Sequence, residues 1–224
     1  MPAAHDADAK LVPRARIERV LRRSLHTADA RVRTLAGQAA GRAGKRLRIR
    51  LTVLAARSAG RTNSRVERFA VALELLHQAT LVHDDVIDGS NRRRHRFTVN
   101  ARYGNEAAVL TGDWIFARAM GLLAGDMPPR VRALAARTAE TVCRGEIREL
   151  ALHRFKNRDV RAYLAMITDK TASLLGACCE GGARLAGASE AHVRALAGYG
   201  REFGLAFQIR DDILDWEGSR ARMG

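Results

Sequence analysis

Two short acidic clusters are the residues of this chain best suited to chemistry. Each follows an apolar stretch, in LVHDDVIDGS (81–90) and FQIRDDILDW (207–216), and together they contribute Asp84, Asp85, Asp88, Asp211, Asp212 and Asp215. In each cluster the first and last carboxylates are four residues apart, so on a helix they project from one face with Cβ atoms roughly 5–6 Å apart. Carboxylates on an apolar face repel each other and are costly to bury unless a cation lies between them.

Hard oxygen ligands of this kind suit Mg²⁺, which binds proteins through one or two carboxylates together with substrate phosphates. One acidic cluster by itself is more simply interpreted as a solvated helix end. Two clusters, each on an apolar helix and more than a hundred residues apart in the chain, favour a function instead. The pattern therefore predicts two helix ends that face each other and bind a magnesium diphosphate between them.

The elements that must position these aspartates are predicted to be helices. Ser64 is interpreted as the N-cap of a long helix that ends near Asp88, and Asp84 continues its core-facing stripe. Further helices are predicted over about 14–37, 47–59, 107–124, 129–152, 159–186 and 190–215, with a loop over 89–97. The sequence shows no alternating strand pattern and no linker. We expect an all-α bundle in a single domain over residues 14–224, after a flexible tail over residues 1–13.

The composition restricts the partners and the compartment. The net charge is +15, and only four of the 39 basic residues are lysine, so the surface should attract phosphates, nucleic acid or acidic lipid headgroups. Charge alone does not choose among these, but the chain carries no nucleic-acid recognition motif or aromatic platform. Its three cysteines show neither metal spacing nor a disulfide framework. We expect a cytoplasmic protein with no nucleic-acid partner and at most peripheral membrane contact.

Five motifs occur in a fixed order along the chain. They are AGKRLR (43–48), ELLHQATLVHDDVID (74–88) with the arginine pair 93–94 after it, GDWIFARA (112–119), DKTASL (169–174) and GLAFQIRDDILD (204–215). This set resembles the motifs of the trans-isoprenyl diphosphate synthases, the polyprenyl synthetase family, from about Arg42 to Asp215. The resemblance implies an all-α, isoprenoid-synthase-type helical bundle around a central cavity, and a homodimeric prenyltransferase.

The resemblance also implies a reaction, the head-to-tail condensation of isopentenyl diphosphate with an allylic diphosphate by ionisation, condensation and elimination. Three Mg²⁺ ions per active site would neutralise the leaving pyrophosphate. The metal-binding residues are then Asp84, Asp88, Asp211 and Asp215. The implied catalytic residues are Asp84, Asp85, Asp88, Lys170, Asp211 and Asp212.

Two diphosphate sites follow from the same resemblance. The allylic diphosphate or its metals would be contacted by Arg93, Lys170, Thr171 and Gln208. The second diphosphate, that of isopentenyl diphosphate, has no metal, so cationic side chains must bind it. The residues that match this second site are Lys45, Arg48, His77 and Arg94.

Product length is inferred from the side chains about one turn before Asp84. Ala79 and Thr80 are small, whereas family members that stop at short products tend to have aromatic residues here, which plug the pocket for the growing chain. The resemblance therefore implies a medium- or long-chain trans-polyprenyl diphosphate as the product.

The chain also departs from the family pattern. Ala43 and Ile49 replace a glycine and a proline of the first motif, HRFT (95–98) stands where GKPT is usual, and Glu149 stands where glutamine is common. Family members generally continue beyond the second acidic cluster, so we expect a C-terminally shortened member. The alternatives to an enzyme that acts alone are a subunit of a heteromeric synthase, an inactive truncated homologue, and a class I terpene cyclase, whose second metal motif usually differs from DDILD.

Overall fold

Helices make up nearly all of the fold. The computed structural model describes residues 14–40, 46–93, 96–155 and 159–223, so the tail predicted over 1–13 lies outside the described residues. The helices are α1 (Arg14–Ser24), α2 (Ala30–Ala40), α3 (Leu47–Ser58), α4 (Ser64–Ile87), α5 (Val99–Tyr103), α6 (Asn105–Ala124), α7 (Pro129–Arg154), α8 (Val160–Ile167), α9 (Ser173–Leu185) and α10 (Glu190–Met223). A π-helical turn (Thr168–Ala172) joins α8 to α9. The prediction of an all-α fold is confirmed.

The helix predicted over 14–37 is in fact two helices, because Asp29 caps the second one. The Asp29 Oδ1 atom accepts hydrogen bonds from the backbone N–H groups of Arg31 (2.8 Å) and Val32 (3.1 Å). This cap satisfies donors that the first turn of any helix leaves without partners. The apolar periodicity continues across the break, which is why the sequence pattern did not reveal it.

The loop predicted over 89–97 contains a short antiparallel hairpin of strands β1 (Arg92–Arg93) and β2 (Arg96–Phe97). Its strands are two residues long, too short to show an alternating pattern in the sequence. The guanidinium of Arg92 lies 4.6 Å from the centre of the Phe97 ring, a cation–π contact that stabilises the pairing. The hairpin turns the chain back so that Arg93 reaches the end of α4.

The long helix α4 is the centre of the core. It lies against α3, α6 and α9, and Phe69, Val71 and Leu73 are fully buried, as expected for a helix covered on several sides. Its N-cap is Asn63, not Ser64 as predicted: the Asn63 side-chain oxygen accepts from the Val66 N–H at 3.0 Å. Burial of each large apolar side chain contributes roughly 1.5–3 kcal/mol, and this packing fixes the end of α4 that carries Asp84.

Helices α3 and α9 approach closely enough to exclude even a methyl group. A Cβ atom on Gly182 would lie 2.3 Å from the backbone oxygen of Thr52, and a backbone atom within a helix cannot move aside cheaply. Gly181, the preceding residue, faces the Phe69 ring, whose Cε1 atom would lie 2.1 Å from an added Cβ. The two glycines therefore set the distance between α9, α3 and α4.

Replacing Gly182 with alanine is expected to lower the free energy of unfolding by about 1–3 kcal/mol, because the added methyl overpacks the α3–α9 contact. Gly198 in α10 is the matched control, since nothing lies within 4 Å of a Cβ added there. Gly198→Ala should raise the free energy of unfolding by about 0.5–1 kcal/mol. Urea denaturation of both variants checks this, and equal effects would contradict the proposed contact.

Helix α6 is the one helix in the described ranges that is long and apolar enough to cross a membrane by length and composition. It packs along α4 instead, with Ala108, Ile115 and Ala119 fully buried. An added Cβ on Gly112 would lie 2.2 Å from the His83 ring, so α6 and α4 are in close contact. Core packing therefore explains part of the apolar character of α6, since 33% of its apolar window is buried.

Candidate active site

The first acidic cluster opens into a cleft between α4 and α7. Asp84 and Asp88 line it from the end of α4, and Lys170 lines it from the π-helical turn. We call it the Asp84 cleft; it has a volume of about 500 Å³. Its lining residues are Asp84, Ile87, Asp88, Glu146, Glu149, Leu150, His153 and Lys170.

Lys170 is bound by two carboxylates of α7. Its Nζ atom lies 2.9 Å from Glu146 Oε2 and also donates a hydrogen bond to Glu149. Burial by itself would lower the pKa of the Lys170 ammonium, but the two hydrogen-bonded carboxylates outweigh burial and raise it. Lys170 is therefore a permanent positive charge beside Asp84.

Two acids of the Asp84 cleft, Asp84 and Glu146, are harder to ionise than ordinary carboxyl groups. Burial raises the pKa of Asp84 to about 6, partly opposed by Lys170. Burial and then the nearby Asp84 charge raise the pKa of Glu146 to about 7. The carboxylates of the cleft outnumber Lys170, so a further bound cation would relieve their repulsion.

The unliganded protein is expected to become more stable as the pH falls from about 8 to about 5.5. The pKa values of Asp84 and Glu146 in the folded chain, about 6 and about 7, lie above the ordinary values of 3.8 and 4.5. Between these limits the folded state binds more protons than the unfolded chain, so stability rises as the pH falls through about 7. Melting temperatures in EDTA measure this trend. Glu146→Gln should weaken it, and an identical pH dependence in the variant would contradict the assignment.

Asp85 faces away from the Asp84 cleft and binds Arg93. The Arg93 Nε atom donates to Asp85 Oδ1 at 2.7 Å, and Asp85 is buried. Burial raises the pKa of Asp85 although Arg93 opposes the rise. The pair lines a second cavity of about 320 Å³ together with Gln78 and Thr98. Asp85 thus positions Arg93, which was predicted to contact the allylic diphosphate.

The second acidic cluster lies on α10 and faces a third cavity. Asp211 lines this cavity, of about 410 Å³, together with Arg48, His77 and Phe207. We call it the Arg48 cavity. Two side chains predicted for the isopentenyl diphosphate site, Arg48 and His77, therefore lie in one place. The other two, Lys45 and Arg94, fall outside the described residues.

Asp212 belongs to a chain of hydrogen bonds that reaches the π-helical turn. Its carboxylate accepts from the Tyr163 hydroxyl (2.5 Å) and from the Gln208 amide (2.8 Å). Thr171 in turn donates to the Gln208 side-chain oxygen at 2.7 Å. Burial, and then the bond to Asp212, raise the pKa of Tyr163. Asp215, the last acid of the cluster, is exposed.

The two acidic clusters are linked through consecutive residues of the π-helical turn. Lys170 lies in the Asp84 cleft, whereas Thr171 bonds to Gln208 next to the second cluster. Within the described ranges, no group of three or more His, Cys, Asp or Glu side chains is arranged to hold a metal ion. Joint metal binding by both clusters therefore stays a prediction, and it requires ligands beyond those that the side chains provide.

Several residues of the site were not predicted. Glu146 and His153 of the Asp84 cleft and Tyr163 beside Asp212 were missed. A weak indication was present, since residues 146, 149 and 153 are three and four apart and therefore share one helix face. Arg46, two residues before Arg48, was also missed. It is buried, its backbone is in the left-handed region (φ 48°), and it donates a hydrogen bond to Glu74 Oε1 at 3.0 Å.

Comparison with known proteins decides the family. A sequence model of the family described as polyprenyl synthetase matches residues 29–224. The chain belongs to the polyprenyl synthetase family. The family predicted from the five motifs is therefore confirmed.

Relatives of this polyprenyl synthetase family chain are longer than the chain itself. Heptaprenyl diphosphate synthase component 2 of Geobacillus stearothermophilus is 44% identical over 182 residues, which are 81% of this chain and 57% of that protein. The chain thus spans somewhat more than half the length of this curated relative.

Solved structures of the polyprenyl synthetase family share the fold. The decaprenyl diphosphate synthase of Rhodobacter capsulatus superposes with a TM-score of 0.89 at 36% identity, over 94% of this chain and 66% of that one. The polyprenyl synthase of Caulobacter crescentus, solved with calcium and isoprenyl diphosphate, gives 0.88 at 36% identity over 96% and 64%. The expected isoprenoid-synthase-type bundle is confirmed by these superpositions.

Proposed function

We propose that the chain is a Mg²⁺-dependent trans-polyprenyl diphosphate synthase that condenses isopentenyl diphosphate with an allylic diphosphate. The observation that carries the proposal is the Asp84 cleft, where Asp84 and Asp88 lie beside Lys170 at the end of a buried helix. Carboxylates there are suited to a metal, and the ammonium is suited to a diphosphate oxygen. Family membership supplies the class of reaction.

The acids of the Asp84 cleft fit a bound divalent cation. Burial and the repulsion between neighbouring carboxylates raise the pKa values of Asp84 and Glu146, and magnesium commonly combines one or two carboxylates with substrate phosphates. Asp84 and Asp88 would bind the metal in this cleft. By family analogy there are three ions per site, and Asp211 and Asp215 of the second cluster, which do not line this cleft, would complete their ligands. Bound magnesium would neutralise the pyrophosphate as it leaves the allylic carbon. The calcium and isoprenyl diphosphate of the Caulobacter crescentus structure support such a site.

The other side chains of the site would bind the two diphosphates. Lys170 would exchange its bonds to Glu146 and Glu149 for oxygens of the allylic diphosphate, with Thr171 and Gln208 beside it and Arg93 positioned by Asp85. In the Arg48 cavity, the cationic side chains would bind isopentenyl diphosphate. Its double bond attacks the allylic cation, and the released pyrophosphate accepts the proton that is lost.

Under this proposal, the bound substrates must exclude water from the Asp84 cleft. The allylic cation would be quenched by water in an open site, so the reaction requires apolar, closed surroundings. The lining of the Asp84 cleft is instead mostly charged, and its apolar members Ile87 and Leu150 are exposed. Under this proposal, the prenyl chain itself covers these side chains when it binds.

Product length remains part of the proposal. Thr80 is partly buried one turn before Asp84, and its hydroxyl donates to the His77 carbonyl at 2.9 Å. Ala79 is packed in the core at 2% exposure, so Thr80 is the better candidate to limit chain growth. The small size of both side chains supports a medium- or long-chain product.

One assay tests the function. The purified chain is incubated with Mg²⁺, farnesyl diphosphate and radiolabelled isopentenyl diphosphate, and the products are sized after hydrolysis to the alcohols. Products longer than twenty carbons are expected. Products that stop at twenty carbons, one isopentenyl unit beyond the fifteen-carbon starter, would overturn the proposed length. Consumption of the allylic diphosphate without isopentenyl diphosphate would favour a terpene cyclase.

A heteromeric synthase is the second candidate, because the relative from Geobacillus stearothermophilus is named component 2 of its enzyme. Helix α6 exposes the apolar neighbours Val109 and Leu110, which suit a contact with a second chain, either another copy or a different component. Product formation by the chain alone supports a homodimer, which sedimentation would measure. Product only after a second component is added would support the heteromer. No product in either case would indicate an inactive homologue.

A cytoplasmic location stays a prediction from the composition.

A further inference from the structure

The π-helical turn over Thr168–Ala172 interrupts a stretch that the sequence predicts as one helix. A π turn contains one residue more than an α-helical turn and often lies at a functional site. Here it sends two consecutive side chains to different places: Lys170 into the Asp84 cleft and Thr171 to Gln208. The register of this turn therefore decides where both side chains point.

Two arginines of α7 bind the carboxylate of Asp169, the residue before Lys170. Arg144 donates from Nε at 2.8 Å and from Nη2 at 3.2 Å, and Arg148 donates from Nη1 to the same carboxylate. Asp169 is buried, whereas both arginines reach it from the surface. Charge-assisted bidentate contacts of this kind are directional as well as strong.

Glycines bring the neighbouring helices into backbone contact with the turn on two sides. A Cβ on Gly145 of α7 would lie 2.3 Å from the Lys170 nitrogen, and one on Gly204 of α10 would lie 2.6 Å from the Ala172 Cα. The turn is thus enclosed between α7 and α10. The same stretch of α7 also supplies Glu146 and Glu149 to Lys170. Residues before and after Gly145 in α7 therefore bind side chains of the turn.

We propose that Asp169 is a positioning residue, which together with Arg144 and Arg148 fixes the π register that directs Lys170 into the Asp84 cleft and Thr171 toward Gln208. Asp169 does not line the Asp84 cleft and acts through its neighbours. A relaxation to α-helical register would rotate these side chains by about 100°, one residue of a helix with 3.6 residues per turn. This inference rests on the proposed function, because it assumes that Lys170 binds a diphosphate.

A double-mutant cycle with Lys170 tests the proposal. Binding of magnesium pyrophosphate is measured by calorimetry for four proteins: the wild-type chain, Asp169→Asn, Lys170→Gln and the double variant. The protein and pyrophosphate concentrations are high enough to measure the weakest of the four affinities. Asp169→Asn should weaken binding by about tenfold or more when Lys170 is present, since misplacement of a positioned group is costly. In the Lys170→Gln background the same change should weaken binding by less than about twofold, because coupled residues are non-additive.

Asp126→Asn is the matched control, because Asp126 also pairs with two arginines, accepting hydrogen bonds from Arg65 and forming an ion pair with Arg68, on the surface away from the cleft. It should leave pyrophosphate binding unchanged. An equal loss in both Lys170 backgrounds, or no loss at all, would overturn the positioning role. If Asp169→Asn does not fold, Arg148→Gln replaces it with the same expected outcome. Pyrophosphate binding without prenyl product would overturn the proposed function alone, and absence of binding by the wild-type chain would overturn both.

Discussion

Asp84→Asn is expected to lower kcat/KM by about 10³-fold, because the change removes a carboxylate from the proposed magnesium site and with it several kcal/mol of charge stabilisation. The stability should change in the opposite direction. Burial raises the pKa of Asp84 to about 6, so its ionised form is disfavoured in the fold at neutral pH. A neutral asparagine removes that penalty, and without metal the variant should melt at the same or a higher temperature than the wild type.

Initial rates at saturating magnesium and melting curves in EDTA measure the two effects on the same preparations. Glu202→Gln is the control, since Glu202 is an exposed acid on α10, and it should change neither quantity. A large loss of activity together with a large loss of stability would contradict a catalytic role for Asp84, because unfolding would then explain the lost rate.

Lys170→Gln is expected to lower kcat/KM by about 10²-fold, mainly through a higher KM for the allylic diphosphate, because removal of one preorganised charged donor commonly costs 10²–10³-fold. Here stability should fall too. The Lys170 ammonium is bonded to Glu146 and Glu149, and its loss leaves those carboxylates beside Asp84 without their cation. The cost should stay below the roughly 3–5 kcal/mol of a fully buried pair.

The pH dependence separates this repulsion from general damage. At about pH 8 Asp84 and Glu146 are ionised and Lys170→Gln should be most destabilising, whereas near pH 5.5 these two acids are largely protonated and the variant should come closer to the wild type. Lys170→Arg is the charge-preserving variant and should retain most of the stability, with partial activity because a guanidinium is not equivalent to an ammonium. A pH-independent loss in Lys170→Gln would contradict the assignment.

The elements that the sequence predicted well are those whose information is local. The end of α4 was located within about one residue, and the spacing of Asp84 and Asp88 placed both carboxylates in one cleft. The motif that contains Lys170 was also identified. Periodicity and four-residue spacing are properties of a single helix, so they can be read without knowledge of its neighbours.

The sequence missed some elements because an uninterrupted apolar pattern conceals them, and others because they depend on neighbours that are distant in the chain. The break at Asp29 and the π-helical turn both interrupt apolar patterns that continue unchanged through them. Tyr163 meets Asp212 across 49 residues of sequence, and nothing in either local pattern indicates the contact. The cavity that joins Arg48, His77 and Asp211 likewise forms only when α3, α4 and α10 have packed.

The amino-acid sequence by itself determined the helical class and the family, and it predicted most side chains of the proposed site, because these follow from the order and spacing of residues along the chain. Only the tertiary structure decided that Glu146 and Glu149 accompany Asp84, that Asp85 binds Arg93, and that Asp169 lies between two arginines. The physical reason is that charge balance and the register of a turn are set by contacts between helices. Close approach at glycines such as Gly145 and Gly182 fixes those contacts to within a few tenths of an ångström.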